Sequence, residues 1–352
     1  MLALLSAPPK IDATFFSDDH SYWYTVEKQS ENIFGPIAAP RESHAAKKTF
    51  RLTVPLIAKT LDLKRKGIYL LQVTTFFVML GMGISLARRI TSESKVSSLF
   101  MASMIPLYTI LSSYHEATGH LDAFAYSFLF GAMYFRHPLQ VFFACFLASW
   151  CDERAFLATS FIFMWWFLQD ENANRLRVPS FSAYPDSRAV AVCLSGLSYI
   201  ALRFLLTFYT PLSLEMGRAD LLLVKEYTSF VPLLTYSTFG ALWAVILTAG
   251  LLLIRQNRPL LLLFLIIPFL LQAIVACMVW DFTRSLSFAF PLLFLSLFIV
   301  KDYFNTETIK IGLCVIFLLS LISPVIFFDS QITNVHSIWH IGFDKLIKVV
   351  TK

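Results

Sequence analysis

A chain of 352 residues that is 57% hydrophobic, 16% aromatic and only 15% charged, with a mean hydropathy of +0.65, is not a soluble globular domain, where about a quarter of residues carry charge. The formal charge of +6 does not argue for nucleic acid. The Lys and Arg are scattered as flanks of apolar segments rather than gathered on one polar face, which points to anionic lipid headgroups as partner.

Taken in chain order, the first region, 1–66, is polar and reads as an extracytoplasmic loop carrying juxtamembrane helices. Its opening run MLALLSAPP resembles the outer end of a helix stopped by prolines, so the expectation is a first transmembrane helix whose upstream part is absent; an N-terminus that crosses unaided is the alternative. Tyr22, Trp23 and Tyr24 form an interfacial aromatic signature, and the run from Phe50 to Leu63 is amphipathic enough to lie along headgroups. A transmembrane domain then spans 67–328, and 329–352 is a short tail.

Within that domain hydropathy predicts an all-α, polytopic helical bundle of about ten segments: 67–87, 98–114, 122–135, 138–150, 155–168, 189–209, 229–254, 259–279, 285–300 and 309–328. The third, fourth and fifth are short. Arg136, His137 and Pro138 separate the third from the fourth, which makes these two thin spans or a re-entrant pair. Eleven Lys and Arg (88, 89, 95, 136, 175, 177, 188, 255, 258, 301, 310) fall in one set of short loops and four (154, 218, 225, 284) in the other. The first set is therefore expected in the cytoplasm. Cys145, Cys151, Cys193, Cys277 and Cys314 lie within or at the ends of apolar segments with no CxxC spacing, which predicts lipid- or core-facing thiols.

The opposite loops collect acids and histidines. Asp18, Asp19 and His20, in FFSDDHSYWYT, pair two carboxylates with aromatics, which suits a general base if partial burial raises one of them; a capped turn before a helix is the plainer reading. His115, Glu116, His120 and Asp122 place four ionisable groups in eight residues without a balancing Lys or Arg. The histidines are five apart, not the i, i+4 pair that a zinc protease puts on one helix face. Asp152, Glu153 and Arg154 sit between LASWC and AFLATSFIFMWWF, where charge is costly unless paired or facing water; a tight surface loop is the alternative. Asp281 and Arg284, at i and i+3 in VWDFTRSLS, are expected to pair on one helical turn, though an Arg at a membrane edge also suits a lipid phosphate. Arg218 lies in the mixed-charge loop 215–226, and offers a further cationic contact to a lipid phosphate.

Together SDDHSYWYTVEKQ, FRLTVPLIAKTL, HLDAFAYSFLFGAM, CDERAFLATSFIF and DFTRSLSFAFPLLF resemble the integral-membrane glycosyltransferases of the C superfamily, the mannosyltransferase-like enzymes that use polyprenyl-phosphate sugars. The resemblance implies an acidic base in the first outer loop, Asp19 or Asp18, that deprotonates the acceptor hydroxyl. It also implies that Arg284 and Arg154 stabilise the leaving polyprenyl phosphate, and that Asp122, Glu116 and Asp152 hold sugar hydroxyls or a divalent cation. The remaining outer-face residues His20, His115, His120, Glu153, Arg218 and Asp281 would line the substrate site. The compartment it implies is a bacterial cytoplasmic membrane with the active face outside, building cell-envelope polysaccharide or glycolipid. Three readings compete with it, the plainest being a structural subunit with no chemistry. A polysaccharide polymerase or ligase would lean on outer-face Arg and His rather than on one Asp; a transporter or flippase of lipid-linked sugars would carry charge in broken helices within related halves.

Overall fold

The computed structural model describes residues 22–35, 46–114, 120–169, 186–210, 212, 231–279, 281–322, 325–329 and 331–335. They divide between two compact units, one drawn from Lys10–Met79 and Glu116–Ala219 and the other from Met1–Pro9, Leu80–His115 and Asp220–Lys352. The expected first helix over 1–7 lies outside the described residues.

The unit holding residues 22–79 and 120–212 begins with α1 (Tyr22–Glu31), a 3-10 turn at Ala46–Phe50 and α2 (Thr53–Thr60), and continues into α3 (Arg65–Thr91). Trp23, in the middle of the aromatic triplet, is fully buried, its ring edge-on to Tyr69 at 6.1 Å. It is a core residue, which corrects the interfacial reading at that position; an indole gains more from apolar contact than from a headgroup when a partner ring is within reach. α2 buries Thr53, Val54, Pro55 and Ala58 and leaves Leu56 outward, packing on α1 and on α7 (Pro138–Cys151).

Three short helices form the centre of this unit: α6 (Asp122–Tyr134), α7 and α8 (Glu153–Leu168). Their 13, 14 and 16 residues rise about 20 to 24 Å at 1.5 Å per residue, short of the roughly 30 Å hydrocarbon core. α6 and α8 run parallel. The indole N–H groups of Trp165 and Trp166 donate to Met133 O (3.1 Å) and Ala132 O (3.0 Å), at the C-terminal end of α6, where a helix leaves carbonyls unsatisfied. That anchoring puts the first residues of the two helices, some 32 positions apart in sequence, at one common end. α9 (Ser187–Tyr209) packs on α7 and α8; its N-cap Asp186 accepts from Arg188 N and is held below the usual carboxylate range, partial burial being outweighed by hydrogen bonds and charge from Arg188.

The other unit contains α4 (Ser94–Met104), α5 (Tyr108–Leu111), α10 (Val231–Phe239), α11 (Trp243–Arg255), α12 (Pro259–Cys277), α13 (Phe282–Leu286), α14 (Pro291–Tyr303) and α15 (Thr306–Ile322). The expected segment 98–114 is not one helix. Pro106 supplies no amide to continue the ladder and Leu107 is extended, so α4 stops and α5 restarts as a single turn. Segment 229–254 holds together as Val231–Arg255 through a 3-10 link at Gly240–Leu242, with Gly240 at φ +52°, a backbone state that favours glycine. Segment 285–300 is broken by 42° between Phe282–Ala289 and Pro291–Tyr303. The all-α class needs one amendment, since the last expected segment, 309–328, ends as helix at Ile322 and its final residues enter an antiparallel hairpin, β1 (Val325–Asp329) with β2 (Gln331–Val335), which also takes the start of the expected tail. Phe100 and Phe294 meet edge-on at 5.2 Å in the core of this unit.

Among the described residues, four helices are long and apolar enough to cross a membrane: Arg65–Thr91, Ser187–Tyr209, Val231–Arg255 and Pro259–Cys277; the bent pair makes a fifth if it is one span. Only 22% of the apolar window of α12 and 33% of that of α9 is buried. Leu70, Phe77, Leu197, Phe208, Leu251 and Ile274 face outward on these helices, an apolar surface suited to lipid and far beyond what a soluble monomer exposes.

Candidate functional site

Between α7 and α8 the chain makes one extended residue, Asp152 (φ −156°, ψ 133°), which caps the start of α8 by accepting from Arg154 N at 3.0 Å. The Arg154 side chain folds back on the same carboxylate, Nε to Oδ1 and Nη2 to Oδ2, both 2.7 Å. This is the bidentate fork geometry that makes guanidinium–carboxylate pairs strong. Nη2 also reaches Asp122 Oδ1, on the first residue of α6, at 3.1 Å. From the 3-10 turn before α2, Arg51 Nη2 lies 2.9 Å from Asp152 Oδ2 and 3.1 Å from Glu153 Oε1.

Asp122 and Asp152 are fully buried, and Arg51 and Arg154 nearly so. Charges at such depth persist only when paired. Two guanidinium groups face three carboxylates here. The first turns of α6 and α8, whose unsatisfied N–H groups carry partial positive charge, supply part of the remaining compensation. Glu153 keeps 44% of its side-chain surface open; burial among its neighbours works to raise its carboxyl, but the charges of Arg51 and Arg154 and the hydrogen bond from Arg51 win and hold it below the usual range.

The four contacts on Asp152 fill the acceptor sites of its two oxygens. Arg154, with its Nε and Nη2 on Asp152 and Asp122, links the two buried carboxylates of the network. The Asp152–Arg154 stretch is not a tight surface loop, because the parallel register of α6 and α8 seals it.

Beside Arg51 opens a small cleft of about 20 Å³, lined by Tyr22, Thr25, Val26 and Gln29 of α1 and by Lys48, Arg51, His120 and Leu121. Gln29 Nε2 donates to Thr49 O at 2.6 Å, tying α1 to the 3-10 turn. Lys48 Nζ stands over the Tyr22 ring, and the Tyr22 and His120 rings meet at 4.8 Å. Lys48, Arg51 and His120 offer cationic or N–H donors, and among the described residues no carboxylate lines the cleft.

The sequence-predicted residues therefore separate. Asp122, Asp152, Glu153 and Arg154 converge in one network and His120 joins the adjoining cleft. Asp281 and Arg284 belong to the other unit, where Arg284 Nη1 donates to Asp281 Oδ2 at 2.8 Å as the i, i+3 spacing predicts. Near that pair, Gln272 Nε2 donates to Ser285 O (2.7 Å). Asp18, Asp19, His20, His115, Glu116 and Arg218 lie outside the described residues. Reading the sequence alone missed Arg51, Lys48, Tyr22 and Gln29 as site residues. Arg51 carried a signal, being a lone cation within FRLTVPLI.

Among the described residues no group of three or more His, Cys, Asp or Glu is arranged to hold a metal ion. Cys145 and Cys151 are buried in the core, while Cys193 and Cys314 are exposed on helix faces. No family model, curated protein or solved structure matches this chain.

Proposed function

We propose that this chain is a multi-pass membrane glycosyltransferase that moves a sugar from a polyprenyl-phosphate donor to a glycan or lipid acceptor on the extracytoplasmic face of a bacterial cytoplasmic membrane. The observation that carries the reading is the cleft in which Lys48, Arg51 and His120 converge, with no carboxylate lining it among the described residues, in a protein whose long helices present apolar side chains outward. The acidic stretch Asp18–Asp19 precedes cleft residue Tyr22 directly; three peptide units separate Asp19 from Tyr22, a covalent reach of at most about 11 Å.

In this reading the acceptor hydroxyl loses its proton to Asp19 and its oxygen bonds to the anomeric carbon as the bond from that carbon to the phosphate oxygen breaks. A single displacement inverts the anomeric centre. The charge that builds on the departing polyprenyl phosphate is met by Lys48, which stands over the Tyr22 ring, and by Arg51, which Asp152 and Glu153 hold in place before the reaction begins.

The test is mass spectrometry of lipid-linked saccharides and surface glycan from cells lacking the gene, complemented with wild type, Asp19→Asn or Lys48→Met. The expected result is loss of one sugar, restored by wild type and by neither variant at equal membrane abundance. An unchanged glycan profile on deletion overturns the reading, and full complementation by Asp19→Asn removes Asp19 from the role of base.

One observation favours a lipid-linked-sugar flippase as the second reading: the 42° break between α13 and α14, with buried Gln272 bonded to Ser285 beside it, since broken helices with polar partners line transport sites. Uptake of labelled lipid-linked sugar by proteoliposomes without a covalent product would select it.

A further inference from the structure

Arg203 lies on α9, one of the four helices that meet the length and hydropathy of a membrane span. It stands six residues before the helix ends at Tyr209, about 9 Å along the axis. The last two turns of α9 are bathed on most sides, with Leu202, Phe204, Leu205 and Phe208 all outward-facing. Arg203 is half-buried on the remaining side, where its guanidinium lies over Phe50 (4.7 Å) and Tyr199 (5.7 Å) and an Nη1 donates to the Tyr199 hydroxyl.

What separates Arg203 from its neighbours is the nature of those partners. Among the described residues of this unit, the other arginines that are not fully exposed each meet a carboxylate: Arg51 and Arg154 in the buried network, Arg65 with Glu27 at 2.6 Å, and Arg188 with Asp186. Among the described residues Arg203 has no carboxylate within ion-pair distance and is held by the Tyr199 phenol and the Phe50 ring. A guanidinium carries five N–H donors in a planar fork, and one hydroxyl and two ring faces leave most of them for another ligand. An uncompensated arginine on a lipid-facing helix is costly and marks a functional position by default.

The geometry points to Arg203, with Phe50 and Tyr199 as its backing, as a binding site for the phosphate of a membrane lipid. Near one end of a spanning helix, the anion at that depth with two oxygens for a guanidinium fork is a lipid phosphodiester. The aromatic pair stiffens the side chain through cation–π contact while leaving its outer edge open. Thr207 and Thr210, at i+4 and i+7 from Arg203 on the same face, continue a polar track toward the helix end. The site rests on α9 crossing the membrane and is independent of the transferase reading.

Native mass spectrometry of the full chain, released from detergent with dioleoylphosphatidylglycerol, uncharged dioleoylglycerol or inorganic phosphate, tests this. Wild type is expected to retain phosphatidylglycerol over dioleoylglycerol, and Arg203→Met to lose that adduct about tenfold, the effect of one charge-assisted pair, with Arg203→Lys in between. Arg203→Met removes a charge from an apolar helix face and favours insertion; Arg203→Gln serves if it fails to fold. Equal phosphatidylglycerol adducts in wild type and in the neutral variant, no preference over dioleoylglycerol, or displacement of the lipid by equimolar inorganic phosphate would each overturn the assignment.

Discussion

Two charged stretches of similar appearance, CDERAF and WDFTRS, end as different structures. In the first, Asp152 and Arg154 recruit Asp122 and Arg51 from sequence distances of 32 and about 100 residues, and the carboxylates are fully buried. In the second, Arg284 closes on Asp281 within a single turn, and Asp281 retains 21% of its side-chain surface. The local chemistry is alike in both. What turns one of them into an organising network is the parallel packing of α6 and α8, which brings a third and fourth charge to a buried helix end.

The contrast is broken or sharpened first by removing one arginine from each. Arg154→Met removes the cation that bridges the buried Asp122 and Asp152 carboxylates and is expected to cost about 3–5 kcal/mol, read as a loss of folded protein in a thermal-shift assay of the detergent-solubilised chain. Arg284→Met leaves a single carboxylate that keeps 21% of its side-chain surface, and is expected to cost less than Arg154→Met. Equal losses would mean that burial of the network confers no special dependence on its cations.

A smaller effect is expected from acid. Glu153 is held below the usual carboxylate range by Arg51 and Arg154 against the pull of burial, so its contribution is fully present above the unfolded value of about 4.3 and is lost as pH falls through the lower folded value. The melting temperature of wild type is therefore expected to carry a component that declines only below about pH 4, and Glu153→Gln to lack that component while other acid-sensitive groups persist. A decline of the same form in both proteins would detach Glu153 from the network.

The smallest effect is expected at Gln272. Its Nε2 bonds to Ser285 O, while its Oε1 is buried with no hydrogen-bond partner among the described residues. Gln272→Leu loses a bond and relieves a buried acceptor, so the net change is expected within about 1 kcal/mol of zero in the same thermal assay. A loss comparable to that of Arg154→Met would show that the break between α13 and α14 depends on this one side chain.

Much of the helical framework was legible because hydropathy is a local property: α9, α12 and the 25-residue helix from Val231 to Arg255 follow their apolar runs nearly to the residue. Local chemistry also predicted the Asp281–Arg284 turn. Where the reading failed, a neighbour distant in sequence or a backbone constraint had intervened. Trp23 looked interfacial until Tyr69 was found against it; segment 98–114 looked continuous although Pro106 could not donate an amide; the end of segment 309–328 looked helical and pairs as a strand with Gln331–Val335.

By itself, the sequence determined that this chain is apolar, helical and suited to lipid, and which ionisable residues interrupt its apolar runs, since composition and periodicity are carried residue by residue. Only the tertiary structure decided which of those charges meet. The fit of two tryptophans against the end of α6 aligns Asp122 with Arg154, and Arg51 becomes a partner of Asp152 because α2 packs on α7. Ion pairing depends on distances of a few ångströms between side chains that sequence spacing leaves unrelated, so the network and its cleft came into being with the packing.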